Sequence, residues 1–322
     1  MRYATGLLAV LTISTIALAD DGKFAKPPTP KPAPTSTSLS ARATFGDPIQ
    51  VESLTLTPIL ANAPGADEKL LVLDEAMPKK LVRIHEVDGG DVNNLRLTNR
   101  SDQPLFLLAG EVIIGGKQDR IIGSNTIVPP KKTQDVPVFC VEHGRWDNSS
   151  KEFTTANALA HGRLRGRANF DTQSDVWQEV AAKNEQRNTK SKSDTYRHVA
   201  AQQANGTLAN WEKQVNTALA KLPAASKGKL VRSYITEAID VKHDKTAKTP
   251  TGTDVEAFIA DAEKAAEQRS FETDVAASSV QKGEKAARAR VMYKKPAAAD
   301  ANASAPTVAA PPKAVYESYQ AR

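Results

Sequence analysis

Residues 110–122 read GEVIIGGKQDRII, in which two runs rich in β-branched residues flank Gly115-Gly116. Because glycine adopts positive φ angles at little cost, this pattern predicts a β-hairpin with a two-residue loop. In that register Glu111 faces Arg120 on the neighbouring strand. Side chains alternate along a strand, so Glu111, Gln118 and Arg120 are predicted to share one face of the hairpin. Charged and amide groups in such an apolar setting need hydrogen-bonding partners, either from the protein or from a ligand.

A second polar segment, residues 137–146, reads PVFCVEHGRW and adds Cys140, Glu142 and Arg145. One interpretation is a cross-strand salt bridge at a sheet edge, which contributes roughly 0.2–1 kcal/mol. The other is a binding site, because two arginines suit a phosphate or carboxylate ligand through bidentate hydrogen bonds. In this second interpretation Arg120 and Arg145 neutralise the anion, and the neighbouring polar side chains orient them.

Cys140 is the chain's only cysteine, so the fold must be stabilised without an internal disulfide. It lies in a Val-Phe-Cys-Val run, where a cysteine is typically a small buried apolar residue. A nucleophilic role needs a neighbour that ionises the thiol. His143 is three residues away, and strand alternation sends it to the opposite face. The pattern therefore favours a core position for Cys140.

The composition narrows the classes of partner. The formal net charge is +6, but aromatic residues make up only 5% of the chain, and single-stranded nucleic acids are usually bound by stacking aromatics beside basic grooves. We therefore predict no nucleic-acid partner. We also predict no metal site, since the candidate ligands lack a diagnostic spacing such as H-E-x-x-H, and the sequence names no cofactor. Those candidate ligands are His85, Glu86, Asp91, Glu111, Asp119, Glu142 and His143.

Short apolar runs separated by turn residues fill residues 47–146, which is typical of an antiparallel sheet arranged as a sandwich or partial barrel. From about residue 155 the apolar residues recur at helical spacing. We therefore predict an α+β fold in a single domain, 45–295, with an antiparallel β-rich half over 47–146 and a mainly helical half over 155–295. The expected strands are 51–56, 81–87, 95–98, 105–108, 112–114, 120–122, 126–128 and 136–141. Helices are expected around 176–180, over 208–222 and 230–239, and after a capping box at 253–256.

Both ends of the chain have the character of appended segments. Residues 1–19 combine a basic residue, an apolar run and the cleavage motif Ala17-Leu18-Ala19, which predicts a signal peptide cleaved near Ala19. The apolar run is shorter than the roughly 20 residues of a membrane span, so we expect no span after cleavage; an uncleaved anchor is the alternative. Residues 20–44 read as a Pro/Ser/Thr-rich linker, and 296–322 as an Ala/Pro-rich low-complexity tail. The chain is therefore expected to be exported, and to be periplasmic or secreted.

Several motifs between residues 50 and 146 stand out by their order and spacing. They include Gly110-Glu111, the run from Gly116 to Arg120, and the run from Cys140 to Trp146. Through these motifs the chain resembles a bacterial domain family named for its association with ADP-ribosylglycohydrolase and rhodanese-phosphatase proteins. The resemblance implies an α+β domain with a role in NAD or ADP-ribose metabolism. The positions that it carries over are Glu111, Gln118, Asp119, Arg120, Cys140, Glu142, Arg145 and Trp146.

Three functional hypotheses remain open. The first is an exported domain whose polar pocket binds a small anionic ligand, with nucleotide-like and ADP-ribose-like molecules as one class. The second is a hydrolase with a glutamate general base whose pKa is raised by burial or by a like-charged neighbour. The third is a non-catalytic structural or partner-binding envelope protein, in which the polar cluster only locks the sheet. The first two require the glutamates and arginines to converge on one concave, accessible surface, and they fail if these residues are scattered or sealed in paired salt bridges without a cavity. The residues concerned are Glu111, Arg120, Glu142 and Arg145. The assigned residues are Glu111 and Glu142 for catalysis, and Gln118, Asp119, Arg120, Arg145 and Trp146 for ligand binding.

Overall fold

The structure is a computed structural model, and it describes about two thirds of the chain. The predicted signal peptide, the linker up to residue 42, the tail between 296 and 312 and the helix expected over 230–239 lie outside the described residues. Within the described ranges, no helix combines the length and the apolar character that a membrane crossing requires. The described residues are 43–45, 47, 49–51, 54–56, 59–61, 70–87, 91–147, 150–203, 205–221, 252–294 and 313–321.

The described part of the chain forms strands throughout and helices mainly in its second half. The strands are β1 (Ala43–Phe45), β2 (Ile49–Val51), β3 (Leu54–Leu56), β4 (Ile59–Ala61), β5 (Leu71–Val72), β6 (Val82–Val87), β7 (Asp91–Asn99), β8 (Leu105–Leu107), β9 (Glu111–Gly115), β10 (Arg120–Ile122), β11 (Thr126–Val128), β12 (Thr133–Cys140), β13 (Phe153–Leu159), β14 (Glu267–Glu272), β15 (Ala276–Lys282), β16 (Ala286–Tyr293) and β17 (Lys313–Ala321). The helices are α1 (Leu73–Ala76), α2 (Gly162–Phe170), α3 (Gln173–Gln186), α4 (Arg197–Gln203), α5 (Gly206–Ala220) and α6 (Gly252–Glu263).

The centre of the fold is a six-stranded antiparallel sheet with the strand order β13-β9-β10-β12-β7-β6. Its two outermost strands approach each other through a β-bridge between His85 and Glu152. An ion pair of 2.7 Å between Arg83 and Glu152 supports the same contact. The sheet therefore curls into a half-barrel, and the predicted partial barrel and α+β class are confirmed.

Each face of the curled sheet packs against a different layer, because every strand alternates its side chains. The inner face carries residues such as Ile84 and Ile122 and is covered by the three-stranded sheet β11-β8-β5. The outer face carries residues such as Ile121 and Phe139 and is covered by α2, α3 and α4. Adjacent residues of one strand consequently enter two separate cores.

The hairpin formed by β9 and β10 has a different register from the predicted one. Arg120 lies opposite Ile113, not opposite Glu111. The predicted cross-strand pairing of Glu111 with Arg120 is therefore wrong. Since the register differs by two residues, alternation still keeps both side chains on the inner face.

The loop of this hairpin explains the change in register. Gly115 stays in β9, where it pairs with Phe153 of β13, and the loop comprises the four residues from Gly116 to Asp119, called here the 116–119 turn. The Gly115 N–H donates to Asp119 Oδ1 at 3.0 Å, so the aspartate side chain closes a wider turn than the two glycines alone would form. The predicted two-residue loop is wrong for this reason.

The second half of the chain is less helical than predicted. The helix expected around residues 176–180 is α3, which begins with a capping box formed by Thr172 and Asp175. Residues 153–159, however, form β13, an edge strand of the curled sheet. The prediction of a mainly helical segment up to residue 295 is also wrong beyond α6, because the alternating pattern of 276–293 forms β15 and β16.

These C-terminal strands build a separate antiparallel sheet with the order β14-β15-β16-β17. β17 lies inside the segment predicted to be a low-complexity tail, and that prediction is wrong for 313–321 because these residues pair with β16. Val291 and Tyr293 pack against Ile127 of β11, on the side of the three-stranded sheet that faces away from the curled sheet. The C-terminal sheet thus adds a third layer.

Candidate functional site

The polar residues of the sheet gather at the 116–119 turn. On its inner side, the Lys117 N–H donates to Glu86 Oε1 of β6 at 2.8 Å. Gly116 has a φ of +52°, and a Cβ at this position would lie 2.2 Å from the Phe153 ring and 2.6 Å from Glu86 Oε1. Only glycine fits this close approach, so the turn is pinned against the edge strands β6 and β13.

The outer side of the turn is tied to the chain that follows β12. The buried Gln118 side chain donates from Nε2 to the Glu142 carbonyl at 2.7 Å. Arg145 Nη1 donates to the Gly116 carbonyl at 2.7 Å, and its Nη2 donates to the Gly115 carbonyl at 3.3 Å. The two polar segments of the sequence, 110–122 and 137–146, therefore meet at one turn.

Asp119 is completely buried and is held by Arg197 of α4. Arg197 donates from Nε to Oδ2 at 3.0 Å and from Nη2 to Oδ1 at 2.7 Å, which is a bidentate pairing. The Thr195 hydroxyl donates to Oδ2 at 2.7 Å. The hydrogen bond and the charge of Asp119 raise the pKa of the Arg197 guanidinium above its ordinary value. Asp119 is thus a satisfied anion that joins the turn to the helices.

Glu142 and Arg145 complete this ion network. Glu142 Oε2 accepts from the Asp119 N–H at 2.9 Å and from Arg145 Nε at 2.9 Å, with Arg145 Nη2 at 2.7 Å. Burial opposes the charged form of Arg145, but the hydrogen bond and charge of Glu142, together with Asp119, raise the pKa of its guanidinium. The four residues Asp119, Glu142, Arg145 and Arg197 thus contain two carboxylates matched by two guanidinium groups.

Arg120 leaves the same turn toward the inner face and has a different environment. It is 0% exposed, and it lies between Ile113 and Cys140 of the neighbouring strands. Its Nη1 donates to the Gln118 carbonyl at 2.8 Å, with longer contacts of 3.4 Å to Gln118 Oε1 and to the Asp119 carbonyl. Nε and Nη2 have no hydrogen-bond partner among the described residues, and none of the ion pairs in the described ranges includes this guanidinium. A buried ion without a partner costs several kcal/mol.

Cys140 and Glu86 share the inner-face region with Arg120. Burial raises the pKa of the Cys140 thiol, which the charge of Arg120 lowers and the charge of Glu86 raises. Both charged groups therefore act on the same sulfur. The thiol is buried and neutral, which confirms the prediction that Cys140 is a core residue.

Glu111 lies on the inner face, but away from the 116–119 turn. Arg120 lies opposite Ile113, and Glu111 is two residues farther from the turn than Ile113 along β9. Arg120 also directs its Nη1 toward the turn and therefore away from Glu111. Glu111 Oε2 accepts from the Leu108 N–H at 2.8 Å. Burial raises the pKa of the Glu111 carboxyl from its ordinary value of 4.5 to about 8, opposed by the Leu108 hydrogen bond and assisted by the charge of Asp74. The catalytic role predicted for Glu111 remains a prediction.

The remaining predicted site residues divide between the turn and its surroundings. Gln118, Asp119, Arg120, Glu142 and Arg145 come together at the turn. Trp146 lies at the exposed edge of the cluster, where it is 54% exposed and Lys117 Nζ is 4.9 Å from its ring centroid. The predicted convergence is thus partial, because Glu142 and Arg145 bind each other and Glu111 stands apart. The predicted catalytic role of Glu142 also remains a prediction.

Sequence reasoning missed three contributors to this cluster. Arg197 and Thr195 lie more than 75 residues from Asp119 in the chain, and no local pattern marks them as its partners. Glu86 appeared in the sequence only as a candidate metal ligand, and no local pattern marks it as a partner of the Lys117 N–H. Among the described residues, no group of three or more His, Cys, Asp or Glu side chains is placed to hold a metal ion.

The fold and the cluster define an α+β domain with a half-barrel sheet and a buried arginine behind a polar turn. A family model, the ARG and Rhodanese-Phosphatase-superfamily-associated Protein domain, matches residues 42–228, and the chain belongs to this family. The resemblance drawn from the motifs is thereby confirmed. Neither a comparison with curated proteins nor one with solved structures found a match. The matched range contains the curled sheet and α1 to α5, whereas α6 and the sheet from β14 to β17 lie beyond it.

Proposed function

We propose that this domain binds a small anionic ligand through Arg120. The observation that carries the proposal is the completely buried guanidinium whose Nε and Nη2 have no partner among the described residues. Arginine keeps its charge at all physiological pH values, so it cannot avoid the cost of burial by losing a proton. An anionic ligand that pairs with these two nitrogens would remove this cost.

The neighbouring ion network supports a binding role for Arg120 and not for Arg145. The donors of Arg145 are directed to Glu142, Asp119 and the backbone of the turn, so this residue holds the turn in place. Gln118 and Asp119 contribute in the same way. Nucleotide-like and ADP-ribose-like molecules are within the scope of the proposal. The proposal also includes export of the protein, which would place the site in the periplasm or outside the cell.

The test is a thermal-shift screen of the purified protein at constant ionic strength. The probes are inorganic phosphate, AMP, ADP-ribose, acetate and succinate. We expect at least one probe to raise the melting temperature, because a ligand that binds only the folded state stabilises it by mass action. Arg120→Met should remove this shift. The matched control is Arg96→Met, since Arg96 pairs with Asp135 on the outer face and should leave the shift intact.

Two results would overturn the proposal. One is the absence of a shift with every probe, which would favour the structural or partner-binding hypothesis. The other is a shift of equal size in Arg120→Met, which would place the ligand elsewhere.

Hydrolysis with Glu111 in acid–base catalysis is a second candidate function. The observation in its favour is the pKa of about 8 that burial gives to this carboxyl, since an acid–base group works best with a pKa near the operating pH. The test measures turnover of p-nitrophenyl acetate and of ADP-ribose by the wild type and by Glu111→Gln. We expect activity that changes with pH around 8 and disappears in the variant. Equal activity in the variant would exclude Glu111 from the reaction.

A further inference from the structure

The two unpartnered nitrogens of Arg120 define the shape of the group that they would bind. Nε and Nη2 form one edge of the guanidinium, and their N–H bonds match the two oxygens of a carboxylate or of a phosphate. Other arginines of this protein use the same edge. Arg197 places Nε and Nη2 on the two oxygens of Asp119, and Arg96 does so with Asp135 at 2.9 and 3.1 Å. In Arg120 this edge is buried and has no described partner.

From this geometry and the surrounding charges we infer that Arg120 binds a singly charged carboxylate group, and that Glu86 sets this charge limit. The inference rests on the proposed anion-binding function and deepens it. It names a ligand class, monocarboxylates, and one residue, Glu86, that determines specificity against doubly charged phosphates.

The formal charges around the 116–119 turn sum to zero without a ligand, although Arg120 has no ion-pair partner among the described residues. Three guanidinium groups face three carboxylates, and the half-buried Lys117 and the exposed Asp147 add one charge of each sign. A monoanion leaves an excess of one negative charge, and a phosphate dianion leaves two. In a buried site each further charge is costly, so the ligand with the lower charge is favoured. The six balanced groups are Arg120, Arg145 and Arg197 with Glu86, Asp119 and Glu142.

Glu86 is the carboxylate whose charge the ligand would meet. Asp119 and Glu142 are each paired with arginines on the outer side of the turn. Glu86 is on the inner side and accepts from the Lys117 N–H, one residue before the Gln118 carbonyl that binds Arg120. No ion pair of the described residues includes Glu86, whose charge raises the pKa of the Cys140 thiol while that of Arg120 lowers it. An anion on Arg120 is therefore repelled by Glu86 in proportion to its own charge.

The residues opposite Arg120 on the neighbouring strands bring no positive charge that would compensate a dianion. Ile113 and Cys140 flank it on the neighbouring strands, and burial keeps the thiol neutral. Lys117 contributes its backbone N–H to Glu86 while its ammonium group lies over the exposed Trp146 ring. These residues therefore give the Arg120 guanidinium no help in meeting a second negative charge.

The test uses two probes that share a methyl group and differ in charge, acetate and methyl phosphate. Apparent dissociation constants are taken from thermal shifts of the full-length protein at pH 7.5 and constant ionic strength. We expect the wild type to bind acetate at least about tenfold more tightly than methyl phosphate, the ratio that corresponds to one charge–charge repulsion of about 1.4 kcal/mol. Glu86→Gln should reduce this preference by about tenfold. Glu152→Gln, an exposed carboxylate on the adjoining edge strand, should leave it unchanged.

Two arginine variants complete the design. Arg120→Met should abolish binding of both probes, and Arg120→Lys should weaken acetate about tenfold or more, because lysine keeps the charge but lacks the paired donors. Unaltered acetate binding in Arg120→Lys would contradict the bidentate geometry.

The remaining outcomes separate the two levels of the proposal. If methyl phosphate binds the wild type as tightly as acetate through Arg120, or if Glu86→Gln leaves the preference unchanged, the carboxylate inference fails while anion binding stands. A third outcome is that neither acetate nor methyl phosphate binds, but another anion of the thermal-shift screen raises the melting temperature in an Arg120-dependent way. In that case the carboxylate inference fails and the proposed anion binding stands. If no anion of either set binds, both proposals fail.

Discussion

On the outer side of the 116–119 turn, Asp119 and Glu142 meet Arg145 and Arg197 at hydrogen-bonding distances of 2.7 to 3.4 Å. On the inner face of the sheet, Arg120 at the turn and Glu111 further along β9 are both buried but have no ion-pair partner among the described residues. Asp119 and Arg120 are adjacent in the chain, but Asp119 ends the turn and contacts Arg197 of α4, whereas Arg120 begins β10 and points to the inner face. Neighbouring residues of one sequence motif therefore have separate energetic roles.

The two groups of the inner face respond to burial in different ways. Glu111 can become neutral by binding a proton, and burial raises its pKa to about 8 for this reason. A guanidinium has no such route, because arginine side chains in general stay charged at physiological pH. A buried carboxyl thus carries little information about a ligand, whereas the buried guanidinium without a described partner is the observation on which the proposed anion binding rests.

The largest expected effect comes from breaking the ion network. Asp119→Ala leaves Arg197 without its bidentate partner and removes the side chain that closes the turn. We expect a loss of about 3–5 kcal/mol in the free energy of unfolding, measured by urea denaturation. The control is Asp102→Ala, which removes an exposed ion pair with Lys131 and should cost no more than about 1 kcal/mol. Equal effects of the two substitutions would mean that the network is no more important than a surface pair.

The second prediction concerns the pH dependence that Glu111 imposes. Its pKa is about 8 in the folded protein and 4.5 as an ordinary value, so between these values the folded state binds more protons than the unfolded state. Stability should therefore fall as the pH rises from about 5 to 8, by a contribution on the order of 4 kcal/mol, and Glu111→Gln should flatten this slope. Urea denaturation at several pH values measures it. An unchanged slope in the variant would assign the dependence to other groups.

The third prediction is that replacing one buried arginine raises the stability of the protein instead of lowering it. Arg120→Met removes a buried charge that has no ion-pair partner among the described residues and keeps most of the side-chain volume. The protein without added anions should therefore become more stable by about 1–4 kcal/mol. Arg197→Met should destabilise the protein instead, because it leaves Asp119 buried and without its partner. Destabilisation by both variants would show that Arg120 is structural and that the two sides of the turn are alike.

Much of the architecture was predictable because strand signals are local. The runs at 120–122 and 126–128 became β10 and β11 with the predicted bounds. β13 and the strands after α6 were not predicted, since their pairing depends on distant strands. The register of the β9–β10 hairpin was missed for a related reason, because the Asp119 side chain and not the glycine pair alone defines the loop.

The candidate site shows the same division. Its location was predictable, because carboxylates, an amide and arginines in an apolar strand region are rare unless they have partners. The identity of those partners was not predictable. Arg197 and Thr195 reach Asp119 only after α4 packs on the outer face, and Glu86 reaches the turn only because the sheet curls.

The sequence by itself determined which residues alternate between the two faces, since alternation follows from the geometry of an extended chain. It also determined that Cys140 is a core residue and that the polar residues between Glu111 and Trp146 belong to one region. Only the tertiary structure decided which buried charges are neutralised. That outcome depends on side chains from distant elements. Arg197 of α4 pairs with Asp119, whereas none of the described residues forms an ion pair with Arg120.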